Sequence, residues 1–177
     1  MSLSRRRFVQ LAGTSLLLQS QLLKAQQPSG SDLEKEKLTM EMVGLESAQK
    51  ILAQAIAKAS KDFGRPICVS VCDKYGFLVA FARMNDAPVR SIDISRRKAY
   101  TAIWLGVPTH EFLARLHKDQ VEASYFGDET LSPLPGGYPL KDAAGNILGA
   151  VGVSGLAPSE DQSIAAAMAE LVRTGSL

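Results

Sequence analysis

Two short runs rich in β-branched and aromatic residues, Cys68–Cys72 and Phe77–Arg83, are separated by Asp73-Lys74-Tyr75-Gly76. Asp and Gly between such runs are turn chemistry, with Gly76 supplying backbone angles that other residues avoid, so the segment predicts a β-hairpin. An isolated hairpin is marginal in water and needs partners against its faces. The flanks supply them. Leu45, Ala48, Leu52, Ala55, Ile56 and Ala59 recur at steps of three and four, an amphipathic helix that Gly64 and Pro66 stop, and its stripe must cover a sheet. Asp86-Ala87-Pro88 breaks the second strand, and Ile92–Leu105 reads as a helix ended by Gly106 and Pro108.

Beyond Gly106, Pro108-Thr109 opens another short helix, with Thr109 expected as N-cap and Glu111 near the positive end of the helix dipole. Lys118–Pro135 carries no clear period. Order returns at Gly136-Gly137-Tyr138-Pro139-Leu140, a strand edge, followed by the turn Asp142–Asn146 and the run Ile147–Val153. That last run is apolar on both faces, as a buried central strand is. Pro158 and the Ser159-to-Gln162 spacing mark the start of a final helix, Pro158–Arg173, with Gly175 at its end. Helices before, between and after antiparallel hairpins make the fold class α+β.

The N-terminal 25 residues read as an address. Ser4-Arg5-Arg6-Arg7-Phe8-Val9-Gln10 has twin-arginine spacing, and the apolar run Leu11–Leu18 is too short for a spanning helix. Expected boundaries are therefore a signal peptide at 1–25, a Pro/Ser/Gly and charge-rich linker at 26–37, and one domain at 38–177. The expected route is the twin-arginine export machinery, the expected compartment the periplasm, and the mature form should have no stable membrane span. A retained anchor or a basic amphipathic arm is the alternative reading of residues 1–25.

The address also hides the charge of the rest. The whole chain is +2, but residues 26–177 carry 16 Lys and Arg against 18 Asp and Glu, a net charge of −2. A mildly acidic domain is a poor partner for a phosphate backbone, so nucleic acid is excluded as the expected partner. Cys68 and Cys72 are four residues apart on one strand, about 13 Å at ~3.3 Å per residue. A disulfide needs Cα atoms closer than about 7 Å, so they read as two small buried residues on one sheet face.

Five segments in one order resemble a known family: Val71–Gly76, Ala82–Ala87, Lys98–Ala102, Gly136–Pro139 and Gly149–Gly155. The series is similar to the GlcG/HbpS family, which includes the C-terminal domain of PduO-type corrinoid adenosyltransferases, and it covers roughly Leu38 to Leu171. Thr109-His110-Glu111 resembles the Thr-His-Glu of that C-terminal domain. The resemblance implies a profilin-like α/β/α sandwich with a mostly antiparallel five-stranded sheet, assembled as a homo-oligomer. Because several members bind haem, it implies haem as cofactor, with a corrinoid as the alternative.

Six residues are candidates for holding such a ligand. His110 carries an imidazole that could ligate haem iron, at a helix start beside a loop bounded by glycine and proline; the alternative is a surface histidine. His117, seven residues on, reads as part of a surface face. Arg83 ends a strand and could hold a propionate or a substrate carboxylate in a bidentate pair, or could form a salt bridge to Asp86 or Asp93. Lys98 lies in Arg96-Arg97-Lys98, of which only some can face solvent; it points toward a pocket or belongs to a solvated helix face. Thr109 could line the pocket as well as cap its helix. Gly136 and Gly137 would let backbone approach a ligand closely, or serve a tight turn.

No Gly-x-Ser-x-Gly elbow, phosphate loop, dinucleotide fingerprint or His-Glu-x-x-His helix is present in the sequence. The leading expectation is an exported haem-binding or accessory protein. An enzyme acting on a small carboxylated or hydroxylated metabolite, anchored by Arg83, and a structural subunit accompanying a periplasmic oxidoreductase are the other readings.

Overall fold

A computed structural model describes residues 42–177. The expected signal peptide and linker, 1–25 and 26–37, lie outside the described residues. Helix α1 (Leu45–Asp62) leads into the hairpin of β1 (Cys68–Asp73) and β2 (Leu78–Arg83). Helices α2 (Arg90–Leu105) and α3 (Thr109–Asp119) follow, then a 3-10 turn at Ala123–Phe126, strands β3 (Gly137–Lys141) and β4 (Ile147–Ser154), and α4 (Pro158–Arg173). All pairings are antiparallel, in the order β2-β1-β4-β3.

The described residues thus give a four-stranded sheet where five strands were expected. The four are those read from the sequence; the fifth came only from the family resemblance. The segment between α3 and β3 contributes none, and Pro133 and Pro135 deny it two of the backbone donors a strand needs. Among the described residues β3 is an edge strand, which is where Pro139 is tolerated.

Helices cover both faces, giving three layers. α1 and α4 pack on one face over a core of Ile51, Leu52, Val69, Val71, Leu140, Val151, Val153, Ile164 and Met168. The stripe differs from expectation at one end: Leu45 is exposed, and Ile51 is wholly buried instead. α2 lies across β1, β4 and β3 on the other face. There the side chains are small, with Cys72, Ala99, Ala102 and Ala150 forming the apolar cluster and Ser70 hydrogen-bonded to Ser95 at 2.8 Å. Cys68 and Cys72 are free and buried, as their spacing required.

Two helix starts differ from the sequence reading. At α3 the cap position is Pro108, and Thr109 is the first helical residue. At α4 it is the Glu160 carboxylate, not the Ser159-to-Gln162 pair, that accepts the Ala157 N–H at 2.9 Å; Arg65 pairs with the same carboxylate. Among the described residues no helix is long and apolar enough to cross a membrane.

Candidate functional site

α2 buries Ser91, Ser95, Lys98 and Ala102, residues spaced four, three and four apart, so one stripe of the helix faces the sheet. Lys98 lies in that stripe and is 2% exposed. Its Nζ donates to the Val153 carbonyl and to Asp161 Oδ2, both at 2.8 Å. Asp161 occupies the same kind of position on α4, in register with Ile164, Ala165 and Met168, and also accepts the Leu156 N–H at 3.1 Å. The ion pair therefore ties the helix of one layer to that of the other around the end of β4. Burial pushes the Lys98 ammonium down and the Asp161 carboxyl up from their ordinary values, while each partner opposes the other's shift.

Glycine makes this approach possible. A Cβ on Gly137 would overlap the Lys98 carbonyl, and one on Gly152 the Ser95 carbonyl, so α2 lies with its backbone directly on β3 and β4. At Gly136, with φ 122°, a Cβ would stand 2.9 Å from Lys98 Nζ and 2.7 Å from the Val153 carbonyl. The space these two candidate glycines leave is filled by the protein's own Lys98 and helix backbone.

Thr109 completes the knot. Fully buried, its hydroxyl donates to the Leu134 carbonyl at 2.8 Å and accepts the Gly137 N–H at 3.0 Å, fixing α3 to the start of β3. Lys98, Thr109, Gly136 and Gly137 are thus brought together. His110 adjoins them, half-buried, its ring 5.8 Å from that of Tyr138 on β3. Burial raises the Tyr138 phenol, which the side chain of Gln162 opposes. Among the described residues His110 Nδ1 is the one buried side-chain nitrogen or oxygen with no hydrogen-bond partner. His117 is exposed.

Arg83 is not part of this group. It stands on β2 and Gly137 on β3, three strand spacings apart, about 14 Å. Nε and Nη2 of Arg83 both donate to the Ala87 carbonyl, at 3.1 and 2.9 Å, closing the loop into α2; this is a structural role, but through a carbonyl and not through the alternative bridge to Asp86 or Asp93.

Sequence reading missed Asp161, Tyr138 and Gln162. Asp161 had a signal: an acid in the apolar stripe of its helix must be paired or neutral. Two clefts of about 100 and 120 Å³ flank α2. A larger one of about 450 Å³ lies over the 3-10 turn, beside Ser124, Asp128 and Leu131. Among the described residues no three His, Cys, Asp or Glu side chains gather as a metal site.

Known proteins share this architecture. A family model described as haem degrading protein HbpS-like matches residues 43–170. An uncharacterized 15.0 kDa protein encoded between dhaT and dhaS in Citrobacter freundii is 36% identical over 124 residues, 67% of this chain and 84% of that protein. Corrinoid adenosyltransferase PduO of the same organism is 31% identical over 119 residues, 64% of this chain; the chain spans about a third of it, 34%. Among solved structures, HbpS superposes with a TM-score of 0.66 at 29% identity, covering 74% of this chain and 90% of that one. The PduOC:heme complex superposes with a TM-score of 0.65, covering 73% and 94%, and at 24% identity it shows the shared fold alone.

Proposed function

The chain belongs to the HbpS-like family of haem degrading proteins, and from that premise we propose that it is a tetrapyrrole-binding or accessory protein that holds haem through His110. One observation carries the residue assignment: His110 Nδ1 is enclosed without a partner, a cost that native proteins seldom leave unexplained, while Nε2, which no described group hydrogen-bonds, is not enclosed and is the nitrogen that would meet iron. An imidazole at a helix start is a suitable ligand for haem iron. Bound there, haem would supply a redox-active iron centre. The protein's own part is to orient the imidazole, with Tyr138 beside it and Thr109 locking the first turn of α3 to β3.

Size places further limits on the site. His110 lines neither the clefts of about 100 and 120 Å³ beside α2, which are below the ~300 Å³ of a drug-sized ligand's pocket, nor the one of about 450 Å³ over the 3-10 turn, so a porphyrin at His110 would be held on an open surface. Lys98, Gly136 and Gly137 would then support the site from beneath. Self-association fits the same reading, because β2 is an unpaired edge among the described residues and Tyr75 and Phe77 just before it, with Leu78 at its start, are exposed. Light scattering of the purified chain reads the copy number, and a monomer would remove that part.

The test is a visible-spectrum titration of the full chain with haemin, beside His110→Ala. Saturable one-to-one binding with a Soret shift lost in the variant is expected. Binding unchanged in the variant removes His110 as ligand, and nonsaturating absorbance removes haem. A parallel titration with cobalamin separates haem from a corrinoid. The twin-arginine motif supports export to the periplasm as part of the proposal; replacing Arg5 and Arg6 with lysine should leave the protein in the cytoplasmic fraction.

A further inference from the structure

The cleft of about 120 Å³ beside α2 is not used by the haem reading. Its walls are the start of α2 with Arg90, Ser91 and Ile94, the turn after β4 with Ser154 and Gly155, and the first turn of α4 at Pro158 and Asp161. Ser91 and Ser154 are 2% and 5% exposed and line it, yet no described group hydrogen-bonds either hydroxyl. Neither hydroxyl is sealed away, because His110 Nδ1 is the one enclosed unpaired side-chain atom among the described residues. Both therefore open into the cleft. Two nearly buried hydroxyls with no protein partner are groups waiting for a ligand or water.

Charge defines what would fit. The Lys98–Asp161 pair at the back of the cleft is neutral as a pair, whichever partner holds the proton. Two of the three Nζ donors are used by Val153 and Asp161, leaving one. Arg90, exposed at the mouth, adds a single positive charge. At ~30 Å³ per water the volume holds about four waters, or an acid of a few heavy atoms.

We propose that this cleft is a binding site for a small monocarboxylate, with Arg90 taking the carboxylate and the Ser91 and Ser154 hydroxyls its remaining oxygens. One unbalanced positive charge matches a monoanion, whereas the second charge of a dianion such as hydrogen phosphate would have no cation to balance it. His110 does not line the cleft, and Arg90, Ser91 and Ser154 have no part in the haem reading, although Lys98 borders both places. It also differs from the sequence expectation of a carboxylate held by Arg83, which is engaged with Ala87.

The experiment is a titration of the ¹⁵N-labelled full chain with L-lactate, acetate and inorganic phosphate, followed by backbone amide NMR. Saturable shifts at Ser91, Gly155 and Leu156 are expected with lactate. Arg90→Gln, an exposed change that leaves the core untouched, should weaken binding about tenfold, as expected for loss of one charge-assisted contact. The pair Ser91→Ala with Ser154→Ala should weaken it by a similar factor. Absence of saturable shifts with either acid, equal affinity in Arg90→Gln, or tighter binding of phosphate than of lactate would each overturn the proposal. Haemin titration of Arg90→Gln should match the unsubstituted chain, so failure here and failure of the haem reading are told apart.

Discussion

The two faces of the sheet are built on different principles. Under α1 and α4 the contact is made by long aliphatic side chains, Ile51, Leu140, Val151, Ile164 and Met168 among them, with many methyl groups able to shift slightly. Under α2 there is almost no side-chain volume: Ser70, Cys72, Ala150 and Gly152 meet Ser95, Ala99 and Ala102, and backbone lies on backbone. The first face is a hydrophobic core in the ordinary sense and should tolerate change in proportion to volume. The second has no slack, and it is the one that places Lys98, Thr109 and the start of α3. A rigid backbone contact on one side thus fixes the position of the candidate site, while the other side supplies the bulk of the apolar burial.

The strongest way to break that contrast is to compare one methylene on each face. Gly152→Ala drives a Cβ into the Ser95 carbonyl and toward the Ala99 nitrogen, neither of which can rotate away. It should cost about 5 kcal/mol or prevent folding, in the range reserved for severe core mechanisms. Ile51→Val removes a methylene from a fully buried side chain on the other face and should cost about 1 kcal/mol. Urea denaturation of both variants reads the difference, and comparable losses would show that the α2 face adapts as freely as the aliphatic one.

The ion pair sharpens the same contrast one step down in size. Asp161→Leu leaves the Lys98 ammonium buried without its partner and should cost about 3 kcal/mol. Adding Lys98→Met removes the stranded charge, so the double variant should be more stable than the single one. If the double variant is instead the less stable, the pair contributes through its link between the two helix layers and not through charge compensation. The readout is again the denaturation midpoint at constant slope.

These contrasts also explain what could be read from the sequence. The hairpin, both long helices and the final helix were legible because period and turn residues act locally: Gly64, Gly106 and Pro158 stop or start elements wherever they stand. The α2 face was harder. Gly136 and Gly137 advertise a close approach but not what approaches, and the occupant turned out to be the protein's own helix. Thr109 looked like a cap because its type suits one, whereas its hydroxyl is recruited by Leu134 and Gly137, which are 25 and 28 residues away. Arg83 offered a fork to any nearby oxygen, and the Ala87 carbonyl four residues on was within reach. Such long-range or competing partners leave no periodic signal in a single chain. His110 was visible as a residue type, but the lack of a partner for its Nδ1 could emerge only from coordinates.

The effect that is smallest at neutral pH, and emerges only in alkali, tests whether the α2 face stays closed to solvent. Cys72 sits on that face, and burial pushes its thiol up from 9.0 to about 12, partly offset by a contact to the Ala150 carbonyl. The folded protein keeps a proton that the unfolded chain releases near pH 9. The thiol's contribution to stability is therefore fully present below pH 9 and is lost as pH rises through about 12. Cys72→Ala should flatten the alkaline fall in stability over that window, and iodoacetamide at pH 8 should leave Cys72 unmodified until denaturant is added. Rapid alkylation in native buffer would mean that α2 lifts from the sheet on its own. In that case the backbone contact would not be the rigid reference that positions Lys98 and the start of α3, and the contrast between the two faces would fail at its origin.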